Sequence, residues 1–306
     1  MKYIKIKDTD LKVSQIALGC MRIANKSVEE VEQLVFKALD LGINFFDHAD
    51  IYGKGVSETL FGEVIKRNPG IRDKMIIQTK CSIVSGQRYD FSKDYIINAV
   101  KKSLERLNID TIDVLLLHRP DALADPIQVA EAFKYLKDNN LVRYFGVSNH
   151  TANQIKLIEK YTEFKMIFNQ LQLSIVHSNI IDSGINMNTN HPLAYDTDGG
   201  VLDYCRLNDI TIQPWSILQA SWEKGCFLDH PDYQELNDKL NELAIKYQVS
   251  KAAIAVAWIL KHPANMQPIA GTTSPKNLED LVSAIDINLT NQEWYDLYRA
   301  SGKILP

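Results

Sequence analysis

Eight short apolar runs recur along the chain, and a stretch of helical period follows each one. The runs are QIALGC (15–20), INFFDH (43–48), MIIQTK (75–80), IDVLLLH (112–118), YFGVSN (144–149), MIFNQLQ (166–172), TIQPWS (211–216) and QPIAGT (267–272). They are rich in Ile, Val, Leu and Phe with little alternation, the pattern of parallel strands buried on both faces. Residues 27–42, SVEEVEQLVFKALDLG, show the helical part clearly. Val28, Val31, Leu34, Val35, Ala38 and Leu39 share one face, Ser27 and Glu30 form a capping box, and Gly42 closes the helix. Similar helices are predicted near 57–67, 92–106, 125–139, 151–161, 198–208, 232–247, 250–262 and 275–285. Eight β-then-α units in about 270 residues, with no linker, predict an α/β chain forming a single (β/α)8 TIM barrel over residues 1–306. A doubly wound open sheet is the alternative. The leading KYIKIKDTDLKVS alternates around a polar turn and predicts a β-hairpin capping the barrel bottom.

Composition narrows the function classes. The net charge is −4, and Lys and Arg are scattered rather than clustered, so nothing favours nucleic acid or an anionic membrane. The start, MKYIKIKDTD, has no apolar stretch of signal-peptide length, and the longest apolar run, AAIAVAWIL (252–260), is too short to span a bilayer. Cys20, Cys81, Cys205 and Cys226 have no CxxC spacing, which fits a reduced, cytoplasmic protein, with a monomer as the default.

In barrels of this kind the chemistry sits at the carboxyl ends of the strands. Those ends carry Asp47, Lys80, His118, Ser148, Asn149, Asn169, Gln170, Trp215 and Ser216, and the last strand runs into Gly271-Thr272-Thr273. A free tyrosine titrates near pH 10, so Tyr52 alone would be a poor proton donor and acceptor at neutral pH. A lysine beside it would lower that value, an aspartate would hold the lysine charged, and a neutral histidine could orient a carbonyl oxygen. Together Tyr52, Lys80, Asp47 and His118 suit the protonation of a developing alkoxide. Each residue alone has a plain structural reading: a packing aromatic, a solvated lysine, a turn cap, a core histidine. His48 and Asp50 form an HxD pair, but no comparable set of ligands accompanies them, and no metal site is expected. Asp50 fits a cap on the turn before Tyr52, and Cys81 a buried small residue.

GINFFDHADIYG (42–53), IIQTKC, VLLLHRPD, FGVSN, NQLQ, WSIL and GTTSP resemble, in order, the motifs of the aldo-keto reductase superfamily. The resemblance runs from about residue 10 to the end and is closest to bacterial NADP-dependent oxidoreductases. It implies a barrel that binds a nicotinamide dinucleotide without a Rossmann fold, and no GxGxxG follows any strand. It implies NAD(P)H-dependent reduction of an aldehyde or ketone, with Tyr52 as general acid, Lys80 and Asp47 tuning it, and His118 placing the small-molecule carbonyl substrate. By the same likeness Ser148, Asn149 and Gln170 hold the carboxamide, and Trp215 stacks on the nicotinamide. Ser216, Ile217 and Leu218, with Gly271, Thr272, Thr273, Lys276 and Asn277, hold the pyrophosphate and adenosine phosphate. Gly19, Cys20, Met21 and Asp47 complete the cofactor set.

Two departures qualify the resemblance. Trp215 stands where Tyr is frequent, and GTTSPKNLED lacks the Lys and Arg that grip a 2′-phosphate at the positions of Gly271 and Asn277. NADP(H) is favoured, with NAD(H) also compatible. The loop SWEKGCFLDHPDY (221–233) and the segment NMNTNHPLAYDTDGG (186–200) are candidate pocket walls, with Trp222 and Tyr195 as candidate substrate contacts. The rival function is a nicotinamide-sensing regulatory subunit with negligible turnover.

Overall fold

The computed structural model describes residues 1–305. The chain opens with an antiparallel hairpin, β1 (Tyr3–Lys5) and β2 (Lys12–Ser14), and then enters a ring of eight parallel strands. In chain order these are β3 (Ala17–Gly19), β4 (Phe45–Asp47) and β5 (Ile76–Cys81), then, after a small hairpin of β6 (Ile83–Val84) and β7 (Arg88–Tyr89), β8 (Ile112–Leu117), β9 (Val142–Ser148), β10 (Met166–Gln172) and β11 (Thr211–Trp215). A second small hairpin, β12 (Gln219–Ser221) and β13 (Gly225–Cys226), precedes the last ring strand, β14 (Ile269–Ala270). The ladder runs β11-β10-β9-β8-β5-β4-β3-β14, every neighbouring pair parallel. The Gln267 amide donates to the Ile212 carbonyl at 3.0 Å and nearly closes the barrel between β11 and β14. The last strand is shorter than its apolar run because Pro268 has no N–H to give a ladder; its carbonyl still accepts from Ala17 N at 3.0 Å.

Helices α1 (Val28–Asp40), α2 (Val56–Arg67), α3 (Lys93–Leu107), α4 (Pro126–Asp138) and α5 (Ala152–Glu159) alternate with the first strands. They are followed by α6 (Asn179–Ile185), α7 (Val201–Leu207), α8 (Gln234–Tyr247), α9 (Lys251–Lys261), α10 (Pro275–Val282) and α11 (Asn291–Ala300). The capping box of Ser27 and Glu30 is present, and Gly42 follows α1 with φ 80°. Two helices go beyond the sequence expectation, α6 and α11. The second has its own capping box, Thr290 with Glu293, and buries Trp294, Leu297 and Tyr298. Trp294 stacks on Trp258 of α9 with centroids 4.7 Å apart, and each indole N–H donates to the other residue's carbonyl. That reciprocal pair locks the final helix onto the barrel wall.

The core has two layers. One lies between strands and helices. The other lies inside the barrel, where Ile4, Ile6, Leu11 and Val13 of the hairpin region pack against Phe45, Val114, Leu116 and Phe168. The hairpin therefore plugs the amino-terminal end of the barrel and leaves the carboxyl end for chemistry. No single helix among the described residues is long and apolar enough to cross a membrane.

Candidate active site

Strand β4 ends in Asp47, strand β5 carries Lys80, and the tight turn after β4 returns Tyr52 over them both. Gly53 makes that turn possible. Its φ is 57°, and a Cβ there would stand 2.4 Å from Ala24 Cβ. Lys80 is fully buried, and its ammonium meets both Asp47 oxygens at 2.8 Å, the His48 carbonyl at 2.8 Å and the Tyr52 hydroxyl at 3.1 Å. His118 follows β8, its backbone N–H donating to the Cys81 carbonyl at 2.9 Å, and its ring stands edge-on to Tyr52 at 6.0 Å. The four residues that the sequence groups together are thus brought together by three adjacent strands.

Asp47 is held from below by Gln78, which the sequence reading does not single out, and by Gln170, which that reading assigns to the cofactor carboxamide. Gln78 Nε2 donates to Asp47 Oδ1 at 2.6 Å, and Gln170 Nε2 to the same oxygen at 3.0 Å. Gln78 also donates to Gln213 Oε1 at 2.9 Å, Gln213 to Gln267 at 2.9 Å, and Gln267 to the Ser14 carbonyl at 2.7 Å. A chain of amides therefore runs through the barrel interior from the hairpin to the carboxylate. Glutamines at inward positions of apolar parallel strands are the signal that points to it.

Electrostatics depart from the expectation in one respect. Burial pushes the Tyr52 phenol above its ordinary value; Lys80 pulls it down, but Asp47 pushes it up again. Lys80 does not lower the phenol on balance, because its charge is largely answered by the carboxylate and the site is dry. Burial disfavours the Lys80 ammonium, yet Asp47 and Tyr52 together raise its pKa, so it stays charged. Burial, then Lys80 and Arg119, hold His118 well below the imidazole range, which makes it neutral at neutral pH. Behind the site, burial and then Lys80 bring His48 down to about 3; its ring lies edge-on to Phe61 at 4.5 Å. Asp50 is pushed up to about 7 by burial and then Glu58, and its Oδ1 is buried without a partner. Burial pushes the Cys81 thiol well up, as befits an inert core residue.

Above this floor opens a cavity of about 1020 Å³. Its wall takes Gly19 and Met21 after β3, Ser148 and Asn149 after β9, and Gln170 from β10. Trp215, Ser216, Ile217 and Leu218 follow from β11, then Gly271, Thr272, Thr273 and Asn277 after β14. Two residues of the expected cofactor set are placed elsewhere. Cys20 is buried off the wall, its N–H on the Asp47 carbonyl at 2.9 Å, and Lys276 projects from the exposed side of α10. Trp222, at the β12–β13 tip, lines the cavity; Tyr195 is 73% exposed and does not.

The wall fits a dinucleotide. Trp215 is held by its indole N–H on Asn149 Oδ1 at 3.3 Å. Thr272 Oγ1 accepts from Ser274 N at 3.1 Å and Ser274 Oγ from Asn277 N at 3.3 Å, so both hydroxyl protons are free to meet a phosphate near the start of α10. Gly271 leaves open space where a side chain would stand, the nearest atom to a built Cβ being Arg22 Nη1 at 3.9 Å.

Comparison with known proteins gives the chain's family and fold. The sequence profile of the aldo/keto reductase family matches residues 15–301. The chain is 33% identical to the uncharacterized oxidoreductase YcsN of Bacillus subtilis, with 95% of each chain covered. It is 33% identical to the oxidoreductase YdhF of Escherichia coli, over 94% of this chain and 93% of that one. A 6-dehydroglucose reductase of Novosphingobium aromaticivorans is 34% identical over 97% and 94%. The crystal structure of the thermostable aldo-keto reductase Tm1743, solved with the inhibitor epalrestat, superposes with a TM-score of 0.78 at 22% identity, covering 98% of this chain and all of that one. With the profile spanning nearly the whole barrel, the chain belongs to the aldo/keto reductase family.

Proposed function

We propose that the chain reduces an aldehyde or ketone to an alcohol with a reduced nicotinamide dinucleotide, Tyr52 acting as the general acid. One observation carries this reading. The Lys80 ammonium lies 3.1 Å from the Tyr52 hydroxyl, fixed by the buried Asp47, on the floor of a cavity of about 1020 Å³. A reduced nicotinamide, when bound, supplies a hydride to the carbonyl carbon. The oxygen then needs a proton, and Tyr52 Oη donates it while accepting from Lys80 Nζ. Lys80 stabilises the phenolate left behind, and Asp47 keeps that ammonium charged and immobile. Neutral His118 donates a hydrogen bond to the same oxygen and orients it. Trp215 would offer its ring to the nicotinamide, and Ser148, Asn149 and Gln170, on the same wall, would hold its carboxamide. Ser216 to Leu218 and Gly271 to Ser274 would hold the phosphates, with Gly19 and Met21 completing the wall. The relative named 6-dehydroglucose reductase supports a carbonyl-reducing role.

The first test is consumption of reduced cofactor with an activated aromatic aldehyde. Turnover supports the reading. Tight cofactor binding with no turnover points to the sensing subunit instead.

Two results follow from the site. Among the described residues Arg22 is the one cation on the wall near Gly271, and Asp280 lines the same cavity with the opposite charge. NADPH is therefore preferred over NADH by about tenfold or less, a gap of no more than about 1.4 kcal/mol. Dissociation constants from fluorescence titration check this, and a hundredfold gap contradicts it. The second result concerns pH. Because the phenol is raised, Tyr52 keeps its proton through neutrality, so reduction stays level there and falls only on the alkaline side of about pH 10. Alcohol oxidation, which needs phenolate, rises over that same alkaline range. A profile of kcat/KM in each direction decides it, and a tyrosine-dependent break near neutrality shows a lowered phenol and overturns the raised one.

A further inference from the structure

Arg119 follows His118 on the rim of the cavity, and no part of the proposed chemistry uses it. The other eight arginines each hold a carboxylate or, for Arg22, the Gly271 carbonyl. Arg119 holds neither among the described residues. Its guanidinium lies 5.7 Å from the centroid of Trp215, and Trp215 stands 6.4 Å from Trp222. Trp222 is 70% exposed at the tip of the β12–β13 hairpin. The aromatic face steadies the cation without neutralising it. The other charges on the wall are accounted for: Asp47 is tied to Lys80, Arg22 bridges to Gly271, and Asp280 belongs to α10. The end of the cavity beside Tyr52 and His118 therefore carries one positive charge with its donors free.

We propose that Arg119 selects carbonyl substrates bearing a carboxylate, clamping the anionic end while Tyr52 and His118 meet the carbonyl. This rests on the reading of that end as the carbonyl site. A guanidinium presents paired N–H donors in the geometry of a carboxylate, and partial removal from water strengthens the contact. A neutral substrate of the same shape leaves the guanidinium unanswered.

The test compares 4-carboxybenzaldehyde with its methyl ester, which carry the same aldehyde and differ in charge at the para position, the difference in ring electronics cancelling when the ratio is compared between variants. The wild type prefers the carboxylate in kcat/KM. Arg119→Met lowers the carboxylate-to-ester ratio by about tenfold or more, and Arg119→Lys, which keeps charge but loses the fork, restores part of it. Added salt reduces the ratio in the wild type and not in Arg119→Met. Using the ratio removes any effect that Arg119 has on His118, since both substrates feel it alike. An unchanged ratio in Arg119→Met overturns the proposal. If the wild type reduces neither aldehyde, the carbonyl-reductase reading fails, and calorimetric titration with benzoate decides Arg119 alone. Weaker benzoate binding by Arg119→Met then supports the anion site; equal binding, or none by the wild type, overturns it.

Discussion

Tyr52→Phe lowers the rate of carbonyl reduction by about 10²–10⁴-fold and leaves cofactor binding in place. The substitution removes one oxygen and keeps the ring that stands edge-on to His118 at 6.0 Å. Lys80 retains Asp47 and the His48 carbonyl, so the floor of the cavity survives the change. The loss therefore isolates proton donation from folding and from the cofactor wall. Steady-state rates with one activated aldehyde, together with a cofactor titration of the same preparation, make the comparison. A variant that keeps a tenth or more of the wild-type rate shows that another group supplies the proton.

Lys80→Met removes turnover as well, and it also destabilises the barrel by about 3–5 kcal/mol. The reason is the partner left behind. Asp47 is only 2% exposed, and without the ammonium its charge is answered solely by the amides of Gln78 and Gln170. Asp47→Leu made together with Lys80→Met takes away both charges and recovers most of the stability, because no lone ion remains in the dry interior. The double variant stays inactive, since the group that stabilises the phenolate is gone. Urea unfolding midpoints at constant slope separate the two effects. If Lys80→Met unfolds at the wild-type midpoint, the pair does not carry the stability assigned to it.

The sequence itself determined the rhythm. Eight apolar runs without alternation read as strands buried on both faces, and a helix after each one makes them parallel; that they close into a ring rather than an open doubly wound sheet was decided by the fold. The observed β5, β8 and β10 lie within a residue or two of those runs, and the residues at the strand ends were readable as a group because a barrel gathers them at one rim. What escaped was short or nonlocal. Helix α6 is seven residues long, too brief for a periodic signal. Helix α11 had its capping box in plain view at Thr290 and Glu293, but its partner Trp258 lies 36 residues upstream.

Tertiary structure alone decided how the site is tuned. Local sequence puts a lysine near a tyrosine, but whether the phenol's pKa rises or falls depends on the balance of burial against two opposite charges. That balance exists only when β4 and β5 lie side by side in a dry interior. The amide chain from Ser14 to Asp47 likewise needs Gln78, Gln170 and Gln213 to point inward from three separate strands and Gln267 from just before β14. The freedom of Arg119 is a fact of the same kind. Eight other arginines find partners in space, and which one does not is set by where the folded chain places its carboxylates, a distribution that charge counted along the sequence does not contain.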